Sequence, residues 1–499
     1  VTPGATVQPT VPSAGPPAVP PAVPPAGTVV ELGPDVRVRD GGRTLVGGAP
    51  PRLLHLSERA AALVAGRRVE VGGATSRQLA GQLVAAGVAH PVAASLPPVP
   101  LSEVTVVVPV RDRAAGLDRL LAALGGQVGV IVVDDASRDP GSVARVVASH
   151  QAHLLALARN VGPAGARNAG LALVTTPFVA FVDSDVVVAP EAIALLLRHF
   201  AHPGVALVAP RVRGLAPAGG RVNWLSRYED ARAALDLGAR PGLVRPRCAI
   251  SWVPSACLLG RRDALGAGFS DGMRVAEDVD LVWRLAEAGW LVRYEPAASA
   301  GHDHRTSLRP WLARRAFYGT GAHDLARRHA GAVAPAVLNL PTAAASVALV
   351  AGRLWSPPVV AGAFGVLTAR LTRVTHRTDH PVRLAAELAG YGLGSSAAQA
   401  SALLLRHWWP LSLAGCLGSR RLRRTVALAA VVDGLVEYRR LRPDLDPARF
   451  VLARRLDDLA YGAGVWAGAL RGRSVRALLP AFVPARRGDR AARGDQGVR

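Results

Sequence analysis

The chain has 499 residues, half of them hydrophobic and only 5% aromatic, with a formal charge of +23. Its mean hydropathy is +0.24. That length exceeds one ordinary core, so two or three domains are expected. No Lys occurs, and all 59 basic residues are Arg. Such an Arg-, Ala- and Gly-rich composition reflects high-GC coding before it reflects Arg chemistry. No nucleic-acid motif accompanies the charge, which excludes a nucleic-acid partner as the first reading. From residue 340 onward 24 Arg stand against 10 Asp and Glu and punctuate apolar segments, which points to an anionic membrane surface. Cys248, Cys257 and Cys416 lack metal-ligand spacing and suit a reducing compartment.

In chain order, residues 1–27 open with nine prolines in the first 25 positions and read as a disordered tail. Residues 28–93 form a small unit. Alternation over Val36–Arg39, a turn at Asp40-Gly41-Gly42 and the run Thr44–Val46 make a hairpin. Helical patterns follow at Ser57–Val64 and Thr75–Ala86, with Ser57 and Thr75 as N-caps. A hairpin with two or three helices is winged-helix-like. Residues 94–101, rich in proline, read as a linker. The first charged residue is Glu31, with no basic start of a secretory signal, so a cytoplasmic location is expected.

Residues 102–330 alternate strand and helix signals. Val104–Val110, Val128–Val133 and Phe178–Val182 are apolar β-branched runs, and Leu117–Leu124 is amphipathic. Short apolar strands separated by helices predict an α/β fold with a mostly parallel, Rossmann-like sheet. Residues 331–485 predict a helical, membrane-associated region. Gly331–Gly352 is uncharged for 22 residues, the length of a bilayer span, although Pro335 and Pro341 interrupt it. A self-packed Ala-rich helical domain is the other reading. Residues 486–499 read as a disordered tail.

Ligands of an open α/β sheet bind at the carboxyl ends of its strands, and the polar motifs fall there. Asp134 and Asp135 end the second strand, where they suit a nucleobase or ribose, or cap the next helix. Arg159–Gly170 is a Gly-rich loop entering a helix. Its small residues admit a phosphate, and Arg167 supplies a fixed cation. Asp183-Ser184-Asp185 ends a buried strand, and carboxylates at i and i+2 converge on a divalent ion. Glu277 and Asp278 open a helix. Asp278 suits a general base, provided that something raises its basicity against the helix dipole. Near 302, His302 suits a third metal ligand and Arg305 the diphosphate, unless this is a surface loop.

This order of motifs resembles the family 2 glycosyltransferases of the GT-A fold. The resemblance implies an inverting single displacement, with Asp278 as base and Asp183 and Asp185 on Mg2+ or Mn2+. It places a nucleotide-sugar donor against Pro109, Arg111, Asp134, Asp135, Arg167, Asn168, Asp183 and Ser184. Trp252, Ser255, Glu277, His304 and Arg305 fall at the diphosphate and acceptor. The Gln-x-x-Arg-Trp signature of processive synthases is absent.

A narrower resemblance covers nearly the whole chain. It rests on Arg37–Leu56, Ala89-His90-Pro91, Tyr228–Gly238, Trp252–Ala256, His302–Arg305 and Arg406–Pro410, which look like the mycofactocin-system glycosyltransferases. That family implies transfer of glucose from UDP-glucose, as a short β-1,4 chain, to a redox cofactor made from a ribosomal peptide. The N-terminal unit is similar to the small peptide-recognition domains of such pathways. A family 2 enzyme of cell-wall or lipid-linked glycan synthesis would carry the same motifs, and an inactivated sugar-nucleotide scaffold is the reading outside enzymes.

Overall fold

The computed structural model describes residues 23–215, 222–303 and 306–482. Most of the proline-rich head and the C-terminal tail expected at 486–499 therefore lie outside the described residues.

The N-terminal unit carries β1 (Val29–Leu32), β2 (Arg37–Arg39), β3 (Thr44–Gly47), β4 (Arg52–His55), α1 (Glu58–Leu63), β5 (Arg68–Glu70), α2 (Ala74–Ala85) and β6 (Ala89–Pro91). The expected hairpin is β2–β3, and β4 extends it to a three-stranded antiparallel sheet. A second antiparallel sheet runs β5-β1-β6. Ser57 caps α1, its side chain accepting from the Ala60 N–H. Thr75 does not cap α2. The helix starts at Ala74, and the Ser76 hydroxyl accepts from the Gly72 and Gly73 N–H groups instead. The segment 94–101 is more than a tether, because Leu96 is buried and Ser95 Oγ accepts from Val29 N at 2.9 Å. One continuous apolar core joins Leu45, Leu79 and Val88 of this unit to Val106 and Leu120 beyond it.

The central sheet has nine strands, in three stretches of chain. The first holds β7 (Val104–Val110), α3 (Ala114–Leu124), β8 (Gly129–Asp134), α4 (Pro140–Ser149), β9 (His153–Ala156) and α5 (Gly162–Leu171). The second holds β10 (Phe178–Val182), β11 (Val186–Val188), α6 (Pro190–Leu197), β12 (Val205–Leu215), α7 (Trp224–Arg232) and β13 (Gly242–Leu243). The third holds β14 (Cys257–Arg261), α8 (Arg262–Leu265), α9 (Glu277–Glu287), β15 (Leu291–Asp303) and α10 (Leu308–Arg328). The order is β11-β15-β12-β14-β10-β7-β8-β9, with β13 on β15.

The expected mostly parallel sheet is mixed. β10-β7-β8-β9 and β12-β15 are parallel, whereas β14 runs antiparallel to both β10 and β12. β7, β10 and β14 at the centre are almost wholly buried, and strand direction leaves no mark on such an apolar run. The strand expected to stop near Tyr294 continues to Asp303, because Ala300–His302 pair with Val186–Val188 of β11.

After β16 (Val337–Leu338), the C-terminal region comprises α11 (Leu340–Ala351), α12 (Ser356–Val374), α13 (Pro381–Ala402), α14 (Trp409–Gly418), α15 (Arg420–Leu441) and α16 (Pro447–Arg471). The uncharged stretch at 331–352 does not make a bilayer span. Asn339 caps α11 by accepting from Thr342 N, and Gly352, at φ +54°, ends it after 12 residues. At 1.5 Å per residue that helix is about 18 Å long, short of the roughly 30 Å hydrocarbon core. Among the described residues no helix is long and apolar enough to cross a membrane.

Helix α16 packs backbone-to-backbone on α10. A Cβ built on Gly464 would lie 1.8 Å from the Ala316 carbonyl oxygen, and one on Gly319 would lie 2.1 Å from that of Tyr461. Neither neighbour is a side chain that can swing aside. Gly464→Ala is therefore expected to force the helices apart at a cost of about 1–3 kcal/mol, read as a lower thermal unfolding midpoint. An unchanged midpoint would refute this account of the contact.

Candidate active site

The parallel strands β7, β8 and β10 end on one edge of the sheet, where the chain must turn and polar side chains escape the core. There a cavity of about 1760 Å³ opens. Pro109, Arg111, Asp135, Arg167, Asp183, Ser184, Asp185, Trp252, Ser255, Glu277, Asp278 and His302 all line it. The loop before β14 closes one side, with Asp183 N–H donating to the Ala256 carbonyl at 3.0 Å.

Arg167 is the hub. It is 2% exposed and donates to Asp183 Oδ1 at 2.6 Å and to Glu277 Oε1 at 2.8 Å. Its guanidinium lies 5.3 Å from the Phe269 ring centroid. Sequence reasoning gave Arg167 to the donor phosphate, but the structure engages it with two carboxylates. It thereby fixes the end of β10 against the start of α9.

Asp278 follows at the first turn of α9, half-buried with its open side on the cavity. Its carboxylate accepts from Ser255 N at 3.1 Å and from Val279 N at 2.8 Å. Burial, then the Glu277 carboxylate, push its pKa up to about 7, outweighing those N–H groups and Arg167. This supplies the basicity the sequence left unexplained, since a base is most effective with a pKa near the working pH. The turn before it is strained: Ala276 sits at φ +65°, a left-handed conformation costly for a residue with a Cβ.

Asp185 Oδ2 meets Arg113 Nη1 at 3.1 Å, and Asp185 Oδ1 lies 3.7 Å from His302 Nε2. Burial pushes the Asp183 carboxyl up; Arg167 pulls it down and the like charge of Asp185 adds to the rise. Two carboxylates beside an imidazole are a donor set that suits a divalent cation. Among the described residues no three such side chains already converge as a ready-made cage. Arg113 and Arg167 occupy part of the carboxylate oxygens, and a diphosphate is the natural source of further ligands.

Three expectations resolve differently. Asp134 does not line the cavity; its Oδ1 accepts from Ser137 N at 2.9 Å and shapes the loop. Asp135 does line it, but accepts from Val161 N at 2.6 Å and Gly162 N at 3.0 Å, holding the start of α5. Asn168 points away, donating to the Phe269 carbonyl at 2.8 Å and accepting from Phe269 N at 2.9 Å. Both ends of its amide are engaged by that loop, and Asn168 does not line the cavity. His304 and Arg305 lie outside the described residues. Sequence reasoning missed Arg113, Arg274 and Arg314 on the cavity wall, and also Asp35, Arg37 and His90 of the N-terminal unit. An Arg-rich chain gives no signal that singles out these guanidinium groups, and Arg37 and His90 stood only within motifs that carried the resemblance.

Residues 105–268 match the family described as Glycosyl transferase family 2. The pre-mycofactocin glycosyltransferase of Mycobacterium tuberculosis is 43% identical over 468 residues, spanning 91% of this chain and 97% of that one. An N-acetylglucosaminyl-diphospho-decaprenol L-rhamnosyltransferase from the same species is 33% identical over 140 residues, 26% of this chain and 42% of its own. Among solved structures, a mannosyltransferase from Pyrobaculum calidifontis in complex with GDP-Man and Mn2+ is 20% identical. That likeness covers 74% of this chain and 87% of that one, with a TM-score of 0.40.

The pH–rate profile tests Asp278. A base with a pKa of about 7 is ionised to roughly one tenth at pH 6 and nine tenths at pH 8, so glycosyl transfer should rise through this range. Glu277→Gln removes the like charge that raises Asp278, so the acid limb should move to lower pH. Asp278→Asn should abolish transfer at every pH. An acid limb that stays in place in Glu277→Gln would count against this electrostatic account.

Proposed function

Because the chain belongs to the mycofactocin-system glycosyltransferases, within glycosyltransferase family 2 and its GT-A fold, we propose that it moves glucose from UDP-glucose to the peptide-derived precursor of mycofactocin, building a β-1,4-linked glucoside. The observation that carries the chemistry is the Asp278 carboxylate, raised to about 7 and set on the cavity that Asp183 and Asp185 also line. The acceptor is supported by a likeness of 43% that runs through 91% of the chain, the N-terminal and C-terminal regions included.

The donor lies along Pro109, Arg111, Asp135 and Ser184. Asp183, Asp185 and His302 provide donors for Mg2+ or Mn2+, whose charge would offset that developing on the leaving diphosphate. Asp278 takes the proton of the acceptor hydroxyl as that oxygen attacks the anomeric carbon. The bond from this carbon to the diphosphate oxygen breaks with its electron pair leaving on the diphosphate. A single displacement of this kind inverts the anomeric centre. Arg167 keeps the two carboxylate motifs in register without touching the reacting atoms. The N-terminal unit, winged-helix-like and similar to peptide-recognition domains, would hold the peptide-derived part of the acceptor.

The location we propose is the cytoplasmic face of the cell membrane, with the helical region resting on anionic lipid. In support, Leu340, Val347, Leu354 and Leu417 are 64–99% exposed on α11, the turn after it and α14. Arg420, Arg421, Arg423 and Arg424 open the neighbouring α15.

Two experiments decide these readings. Purified protein with UDP-glucose, Mn2+ and the mycofactocin aglycone should give hexose-spaced products by mass spectrometry, lost with chelator and restored by Mn2+. Donor hydrolysis without transfer would overturn the acceptor, and full activity in chelator would overturn the metal. Co-sedimentation with phosphatidylglycerol vesicles should exceed that with phosphatidylcholine and fall in Leu354→Asp/Leu417→Asp; no binding to either vesicle would remove the membrane.

A further inference from the structure

Two guanidinium groups meet the carboxylates of the Asp183–Asp185 turn, and they are held differently. Arg167 is 2% exposed and bonded to two carboxylates. The Arg113 side chain is 42% exposed, lines the cavity and meets one carboxylate, its Nη1 lying 3.1 Å from Asp185 Oδ2. Among the described residues its guanidinium has no other ion-pair partner.

The carboxylate side of this pair is fixed. Asp183 N–H donates to the Ala256 carbonyl at 3.0 Å, Val186 N–H to that of Asp183 at 3.0 Å, and Asp303 N–H to that of Asp185 at 3.1 Å. The first turn of α3 presses on the same segment, since a Cβ built on Gly116 would lie 2.5 Å from the Ser184 carbonyl oxygen. Arg113 stands just before that turn, at the N-cap position of α3, and its side chain makes no capping bond. A pinned carboxylate thus faces a long cation with a single tether.

This pairing competes with a divalent ion for Asp185. A guanidinium and a doubly charged cation on one carboxylate repel each other across a few ångströms, so the ion takes Asp185 only as Arg113 withdraws. The diphosphate of the donor is the anion that can receive it. Oxygen ligands of an octahedral Mg2+ stand about 2.1 Å from the ion, so a diphosphate oxygen next to the Asp185 oxygen lies about 3 Å from it. A guanidinium already 3.1 Å from Asp185 reaches such an oxygen by rotation about its own side-chain bonds. One charge-assisted hydrogen bond then replaces another.

Resting on the metal-dependent transfer reading above, we propose that Arg113 is a donor-binding residue that passes from Asp185 to the diphosphate when nucleotide and metal are both bound. Without a diphosphate Arg113 is the competitor of the ion. With one it becomes a ligand of the nucleotide, so each partner tightens the other, and the coupling is reciprocal.

Mn2+ binding to the full-length protein, read from the electron paramagnetic resonance signal of the free ion, tests this without turnover. In wild type UDP should tighten Mn2+ by well over tenfold. Arg113→Ala and Arg113→Gln should bind Mn2+ alone about tenfold more tightly than wild type, equivalent to 1.4 kcal/mol. With Mn2+ saturating, calorimetry should show their affinity for UDP reduced by about tenfold, and the factor by which UDP tightens Mn2+ should shrink by the same amount. Arg113→Lys keeps the charge and should keep the coupling. Tighter metal with weaker nucleotide is a pair of opposite effects that a damaged fold does not give. Mn2+ binding unchanged or weaker in both neutral variants, or an undiminished effect of UDP, would overturn the role of Arg113 and leave the metal reading standing. No Mn2+ binding by wild type, with or without UDP, would overturn both.

Discussion

Arg167 is the constraint on which the site depends. A guanidinium shut away from water beside two carboxylates carries a large desolvation cost, offset only while both partners stay in place at 2.6 and 2.8 Å. The three charges come from α5, the end of β10 and the first turn of α9, segments more than a hundred residues apart at the extremes. Their mutual demand for pairing sets where α9 begins relative to the sheet edge. That in turn fixes Asp278 on the cavity. Glu277 serves twice in this arrangement, as the partner of Arg167 and as the like charge that raises Asp278.

Several residues that look like ligands turn out to hold the loops that carry ligands. Asp135 binds the first N–H groups of α5, where the helix dipole and unpaired donors favour a carboxylate. Asn168 closes the turn at Phe269, whose ring then lies beside Arg167. The Gly-rich loop is thus held from both sides, by Asp135 at one end and by the Phe269 turn at the other. Around it part of the cavity wall is supplied by regions outside the family 2 match, which ends at residue 268. Asp278, His302, Tyr391 and Tyr461 on that wall all lie beyond that point.

The N-terminal unit belongs to the same physical body. Its core is continuous with that of the sheet, and Asp35, Arg37 and His90 reach the cavity. His90 is a half-buried ring whose pKa burial, then Arg293, push down to about 3, so it faces the cavity neutral. What pattern reading separates as module, linker and catalytic domain therefore shares both its core and its site.

The sequence by itself determined the strands and helices with strong periodicity, the carboxylate motifs at strand ends and the family. Apolar runs such as Val104–Val110 and Phe178–Val182 need no partner to be recognised, and Asp183-Ser184-Asp185 is legible because it follows one directly. Tertiary structure decided the rest. The reversed direction of β14, the continuation of β15 to Asp303 and the short α11 depend on pairing and capping across the chain. So do the role of Arg167 and the basicity of Asp278, because a charge acquires its function from what lies within a few ångströms of it and from how much water is excluded. Neither quantity is written in the spacing of residues along a chain.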